Sequence, residues 1–137
     1  MPLPERVIID SSAFLALLSK NDTNHTLAVE AYGRLVDREQ ELWTTSSTLV
    51  TIVGFILERF GIESLRVFND SIKGIIHIFW VDGTPYRDAL ELILSRSLGN
   101  DLDIEGSLTV VAARCLQAHV FGFRKCFSEV GIATLPR

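Results

Sequence analysis

Two residues in this chain could do chemistry together, and they carry opposite charges. Asp10 closes the apolar run Val7-Ile8-Ile9, and the helix-like stretch Ser11-Ser12-Ala13-Phe14-Leu15-Ala16-Leu17-Leu18 follows at once. Arg124 closes a second such run, His119-Val120-Phe121-Gly122-Phe123. In a parallel α/β sheet, ligands gather outside the carboxyl ends of the strands, so Asp10 and Arg124 are expected to face one cleft. A hydrolase that holds Mg²⁺ needs carboxylates there, because Mg²⁺ is a hard cation that prefers oxygen ligands. A guanidinium at one of those places argues against the metal.

The elements that must position these residues are legible in the hydrophobic pattern. Residues Arg6 to Asp10 lack alternation, as expected for a strand covered on both faces. Ser11 or Ser12 is expected to cap the next helix through its hydroxyl. Asn21-Asp22-Thr23-Asn24 reads as a turn, and a helix from about His25 to Arg38 follows, with Leu27, Ala31, Leu35 and Val36 inward. Leu42-Trp43-Thr44 is a short strand. Ser46 or Ser47 then caps a strongly apolar helix that ends near Phe60 at Gly61. Residues 62–73 form an amphipathic helix with Leu65, Phe68 and Ile72 on one side, and Gly74 breaks it. Ile75 to Val81 is the clearest strand, rich in β-branched and aromatic residues. Thr84-Pro85 opens a helix to about Ser97, with Pro in its tolerated early position. Residues 98–103 form a loop. Ile104 to Leu116 is a helix with a core stripe of Leu108, Val111, Ala112 and Cys115, and residues 119–123 form a last strand. Phe127, Val130 and Ile132 pack the end. Strands alternating with helices imply a parallel sheet with right-handed crossovers.

Composition bounds the possibilities. The 137 residues fit one domain of common size, 47% of them hydrophobic and 22% charged, which is a globular balance. The net charge of −4 gives no global attraction to nucleic acid. Cys115 and Cys126 make neither a metal-ligand spacing nor a disulfide framework, and such sparse use suits a reducing cytoplasm. No apolar run reaches the ~18 residues of a membrane-span candidate, and the start lacks the features of a signal peptide.

Five segments, in order along the chain, resemble a PIN domain of the short VapC toxin-like type. Ile9-Asp10-Ser11-Ser12-Ala13-Phe14 resembles the opening strand with its catalytic aspartate, and Asn21-Asp22-Thr23-Asn24-His25 the turn after it. Trp43-Thr44-Thr45-Ser46 resembles the stretch before the family's second acid, and residues 101–108 (Asp-Leu-Asp-Ile-Glu-Gly-Ser-Leu) the stretch that holds the third. Residues 120–127 (Val-Phe-Gly-Phe-Arg-Lys-Cys-Phe) resemble the segment that holds the fourth. The resemblance implies residues 1–137 as a single three-layer α/β/α domain with a central parallel sheet. It also implies homodimers, and an RNA endonuclease whose four acids bind Mg²⁺ or Mn²⁺ to activate water and stabilise charge on the phosphate.

Only the first acid stands in place, as Asp10. The second falls on Thr51 and the third on Gly106, with Glu105 one place earlier. Adjacent helix residues point about 100° apart, so Glu105 substitutes only after a one-residue shift of the helix start. The fourth falls on Arg124. Arg124 is therefore expected to take over the metal's electrostatic role by pairing with Asp10, and with Asp101, Asp103 or Glu105.

The plainer readings of these residues are structural. Asp10 caps a helix, Asp22 and His25 serve a turn, and Asp101, Asp103 and Glu105 favour a helix N-terminus through its dipole. Trp43 and Trp80 pack beside strands, His77 is a core or edge residue, and Cys126 is a small packed side chain. Arg124 with Lys125 could instead bind phosphate. The apolar helix of residues 49–60 is either buried or part of an interface, and the homodimers implied by resemblance favour the interface. The leading expectation is a PIN-like module with an eroded metal site, catalytically weak or inactive, that binds RNA, a partner protein or an antitoxin-like helix laid in an apolar groove. The alternatives are an active Mg²⁺- or Mn²⁺-dependent single-stranded RNA endonuclease built from Asp10 with Asp101, Asp103 and Glu105, and a dimeric scaffold without ligand.

Overall fold

The computed structural model describes residues 5–95 and 102–136. The expectations that rest on Asp101 and on the stretch 96–101 lie outside the described residues. Five parallel strands form one sheet: β1 (Arg6–Ile9), β2 (Glu41–Thr45), β3 (Ile76–Phe79), β4 (His119–Phe121) and β5 (Thr134–Leu135). Their order is β3-β2-β1-β4-β5. Chain order therefore reverses between β1 and β4, and a cleft at the carboxyl ends of these two strands is where an open parallel sheet binds its ligands.

Seven helices are seen among the described residues: α1 (Ser11–Leu18), α2 (His25–Asp37), α3 (Ser46–Arg59), α4 (Ile62–Ile72), α5 (Gly83–Leu94), α6 (Ile104–Leu116) and α7 (Cys126–Glu129). The pleat divides them into two layers, since successive strand side chains point to opposite faces. Val7, Ile9 and Leu42 join Ala13, Phe14, Ala31, Leu35, Ile52 and Ile56 in one core, beneath α1 to α4. Ile8 and Val120 join Val110, Ala112 and Phe127 in the other, beneath α6 and α7. A smaller cluster of Ala89, Leu108 and Val111 ties α5 to α6. The three-layer α/β/α arrangement with a central parallel sheet follows.

Several local expectations are corrected. Asp10, not Ser11 or Ser12, caps α1: its carboxylate accepts the amide of Ser12. Thr45, not Ser46 or Ser47, caps α3 by accepting the amide of Thr48. The residue just after β1 and the last residue of β2 turn these corners, so each cap falls one place earlier than a serine count suggests. Leu27 and Val36 are exposed, because the buried stripe of α2 runs through Ala28, Ala31 and Leu35 and puts both on its flanks. Cys115 is exposed; α6 is buried from Gly106 to Ala113, and its last turn runs out beyond that core. Trp80 is exposed rather than packed. The last long strand stops at Phe121, and α7 and β5 follow it.

Candidate functional site

Four elements bring their ends to the carboxyl edge of β1 and β4. The amide of Asp10 donates to the carbonyl of Phe121 at 2.9 Å, which clamps the two strand ends together. The chain then needs Gly122, because a Cβ there would lie 3.0 Å from the Cβ of Asp10 and 3.1 Å from Ser12 Oγ. That close approach lets Phe123 donate its amide to Ser12 Oγ at 2.9 Å and delivers Arg124 to the cleft.

Asp10 is fully buried. Its Oδ2 accepts from the amide of Ser12 at 3.0 Å, from Ser12 Oγ at 2.6 Å and from Arg124 Nε at 3.1 Å. Its Oδ1 accepts a long bond of 3.5 Å from Thr109 Oγ1. Arg124 spreads its other nitrogens over the cleft: Nη1 donates to Asp103 Oδ1 at 2.9 Å, and Nη2 donates to Ser11 Oγ at 2.7 Å. Nη2 also lies 3.5 Å from Glu105 Oε1, an ion pair without a hydrogen bond, so that buried oxygen has no hydrogen-bond partner. Asp103 serves twice, because the same oxygen accepts the amide of Gly106 at 2.7 Å and caps α6.

Burial alone would push the Arg124 guanidinium down from its ordinary pKa. The charges of Asp10, Asp103 and Glu105, with the Asp103 hydrogen bond, outweigh burial and hold it above that value. Arg124 is thus a fixed cation among three carboxylates. Beneath it, burial raises the Cys126 thiol; Arg124 opposes this, while Asp10 and Asp103 add to it. A neutral, buried thiol is a packed side chain rather than a nucleophile.

Thr51 and Gly106 also arrive at this cleft. Thr51 Oγ1 donates to Glu105 Oε2 at 2.7 Å, linking α3 to α6. A Cβ on Gly106 would stand 2.9 Å from Leu102 Cδ1, 3.2 Å from Asp103 Oδ1 and 3.3 Å from Arg124 Nη1. Arg124 and a side chain at 106 therefore compete for the same space. Lys125 is exposed beside the cluster. The Thr51–Glu105 link and the anchoring role of Ser11 had no signal in the sequence, since each depends on which way a helix face turns.

The donor set does not suit a divalent metal with Arg124 in place. Among the described residues no group of three or more His, Cys, Asp or Glu side chains is disposed to hold a metal ion. Asp10, Asp103 and Glu105 are spread around the three nitrogens of a planar fork, whereas Mg²⁺ demands oxygens at about 2.1 Å from one point. Asp22 and His25 stand apart from the cleft in structural roles. Asp22 Oδ1 accepts the amide of Asn24 at 2.8 Å, and His25 Nδ1 meets the carbonyl of Ala16 at 2.7 Å. His77 lies exposed on the edge strand β3 with its ring 5.0 Å from that of Trp43.

A second feature lies on the other side of α3. A groove of about 510 Å³ runs between the end of α1, α3 and α4, lined by Leu18, Ile56, Phe60, Val67 and Phe68 with Glu63 at its side. No residue of α4 is fully buried, and Val67 is 70% exposed.

Comparison with known proteins speaks to the fold. No family profile and no curated protein matches the sequence. Among solved structures, the chain is similar to VapC20 of Mycobacterium tuberculosis, a sarcin-ricin loop cleaving toxin, with a TM-score of 0.76 and 17% identity over 93% of this chain and 96% of that one. It is also similar to FitAcB of Neisseria gonorrhoeae, with a TM-score of 0.68 and 11% identity over 93% of this chain and 95% of that one. The sheet order, the cleft between β1 and β4 and these likenesses together give the chain a PIN-like fold of the VapC type.

Proposed function

We propose that this protein is a PIN-like module whose nucleolytic centre has become an arginine-locked ion cluster, so that it acts by binding and not by cleaving RNA. The observation that carries the reading is the contact of Arg124 with Asp10 at 3.1 Å and with Asp103 at 2.9 Å. The cation that offsets Asp10 is then part of the chain, and the catalytic work a metal would supply, activating water and polarising phosphate, has no agent. Thr51 and Gly106 bring no carboxylate to replace it.

The partner that fits best is an antitoxin-like amphipathic helix seated in the groove between α1, α3 and α4. Its apolar lining suits the i, i+3, i+4, i+7 anchors of such a helix. Glu63 in the lining and the net charge of −4 favour basic residues flanking the partner's apolar stripe. RNA is the weaker candidate, since Arg124 is already shared among three carboxylates, which leaves exposed Lys125 as the cation next to it in the chain. Two free cysteines suit work in the reducing cytoplasm. No helix among the described residues is long and apolar enough to cross a membrane.

The test is incubation of mixed single-stranded RNA with Mn²⁺, using this protein and its Asp10→Asn variant, both checked for folding by circular dichroism. The expected outcome is no difference between the two. Cleavage that requires both Mn²⁺ and Asp10 would overturn the reading in favour of a rearranged nuclease built on Asp10, Asp103 and Glu105.

A further inference from the structure

Asp10, Asp82 and Asp103 each stand just before a helix, and only one of them is left unengaged there. Asp10 caps α1 by accepting the amide of Ser12, and Asp103 caps α6 by accepting the amide of Gly106. Asp82 holds the same place before α5, yet its carboxylate accepts no capping amide. A capping side chain accepts from the second or third helical amide. The third residue of α5 is Pro85, which has no N–H to give. Asp82 and Gly83 are both exposed, and among the described residues the Asp82 carboxylate makes no hydrogen bond or ion pair. The Gly83 amide, first in the helix, has no acceptor within it.

We propose that Asp82–Gly83 is a modification site, where the chain rearranges to a β-linked isoaspartyl bond without an enzyme or cofactor. The Gly83 nitrogen attacks Cγ of the protonated Asp82 carboxyl. A Cγ–N bond forms and the Cγ–OH bond breaks. The hydroxyl leaves as water with the amide proton, and a five-membered imide remains. Water then opens the imide at one of its two carbonyls. Opening at Cγ restores aspartate. Opening at the main-chain carbonyl leaves the chain running through Cγ, with the α-carboxylate released as a side group. Nothing is oxidised or reduced, and the product has the mass of the starting protein.

The backbone favours that ring. A five-membered imide needs Gly83 N and Asp82 Cβ on one side of the Cα–C bond. At the Asp82 ψ of −161°, the nitrogen sits closer to Cβ than a helical ψ of about −42° or a strand ψ of about +135° would put it. Gly83 has no side chain to obstruct the attack. Other aspartates lack these features. Asp10 is buried, Asp103 is engaged by Arg124 and the Gly106 amide and precedes β-branched Ile104, and Asp70 lies inside α4. The junction is also anchored on both sides, so the change is felt. Val81 donates its amide to Ser46 Oγ at 2.9 Å, and Ala89 packs with Leu108 and Val111. The Asp82 carbonyl that accepts the Tyr86 amide at 3.2 Å becomes a carboxylate outside the main chain. An extra methylene enters between β3 and α5, and the first turn of α5 must shift. None of this depends on the chemistry of the cleft.

The test is ageing of the intact protein in warm neutral buffer, then digestion and mass spectrometry, with a synthetic peptide of residues 80–86 as rate standard. The expected result is a peptide of unchanged mass and shifted retention with isoaspartate at Asp82, preceded by a form lighter by one water. The aged protein should also accept a methyl group from S-adenosylmethionine through an isoaspartyl methyltransferase, and fresh protein should not. Gly83→Ala should slow the conversion about tenfold, equal to ~1.4 kcal/mol on the barrier. Nothing lies within 4 Å of the added methyl, so the fold is kept. Pro85→Ala restores the third helical amide and should slow the conversion too, although neither reacting residue is changed. Intact Asp82 after the peptide has largely converted would overturn the proposal. So would faster isoaspartate formation at another aspartate, or a Pro85→Ala rate equal to wild type. RNA cleavage is read on fresh protein, so the two readings fail separately.

Discussion

The carboxyl end of the sheet and the outer flank of α3 and α4 solve opposite problems. At the first, strongly interacting groups are buried and nearly all partnered: Asp10 is fully buried and receives four hydrogen-bond donors. At the second, apolar side chains that could have been buried stand in water; Val50 is 73% and Val67 70% exposed. A closed polar cluster has little capacity left for a ligand, while an open apolar flank has all of its burial energy in reserve. The polar end of this molecule is closed on itself, and the apolar flank is open.

The sharpest way to break that contrast is to unlock the polar end. Arg124→Ala strands Asp10 as a buried charge and should cost about 3 kcal/mol in urea unfolding, since losing one partner of a buried pair leaves the other uncompensated. Arg124→Lys keeps the charge but not the planar fork and should recover only part of the loss. A full wild-type midpoint for Arg124→Ala would mean the cluster holds nothing together.

Gly122→Ala probes the same end through the backbone. The new methyl meets the Cβ of Asp10 and Ser12 Oγ, neither of which can swing away, so a loss of about 2 kcal/mol in chemical denaturation is expected. Gly54→Ala on the outer flank meets no atom of its own chain, so the helix gain alone applies and the folded monomer should unfold no more easily. The opposite responses of two glycines to the same change would sharpen the comparison.

A smaller effect comes from alkaline pH. Burial raises both the Cys126 thiol and the Tyr32 phenol. Above their ordinary values, about 8.5 and 10, the unfolded chain releases protons that the folded chain still holds. The unfolded state then binds fewer protons, and stability falls as pH rises through that window. Thermal melts from pH 7 to 10 should show it, with Cys126→Ala flattening the first part of the slope. Cys115 should react with a thiol reagent at once, and Cys126 only as the protein unfolds.

The smallest effect on stability is expected at the flank. Val67→Asn should move the melting point by less than ~0.5 kcal/mol equivalent, as exposed positions do. A large loss would show that α4 depends on Val67 for its own packing and that the groove is not a spare surface.

How much of this was legible follows from which forces dominate. The apolar run of β1, the β-branched β3 and the long periodic α6 stand out in sequence because burial repeats along each of them. The caps were misplaced because Asp10 and Thr45 belong to strands by pattern and to helices by hydrogen bonding. β5 is two residues long and owes its existence to pairing with Val120 and Phe121, which no local pattern records. Asp10 and Arg124 could be paired from their places at two strand ends. Thr51, Ser11 and Ser12 could not, because their contacts depend on side-chain direction. The exposure of Trp80 is likewise a matter of what lies beyond the sheet edge.

The Asp10–Arg124 contact spans 114 residues of chain. As the polypeptide leaves the ribosome, the aspartate appears first and must wait for its counter-ion until β4 has passed. Through that interval neither β4, which completes the cleft, nor the guanidinium is there to partner the carboxylate. A chain cut before Arg124 therefore lacks the ion that offsets buried Asp10, and it should be digested by a protease faster than the full chain.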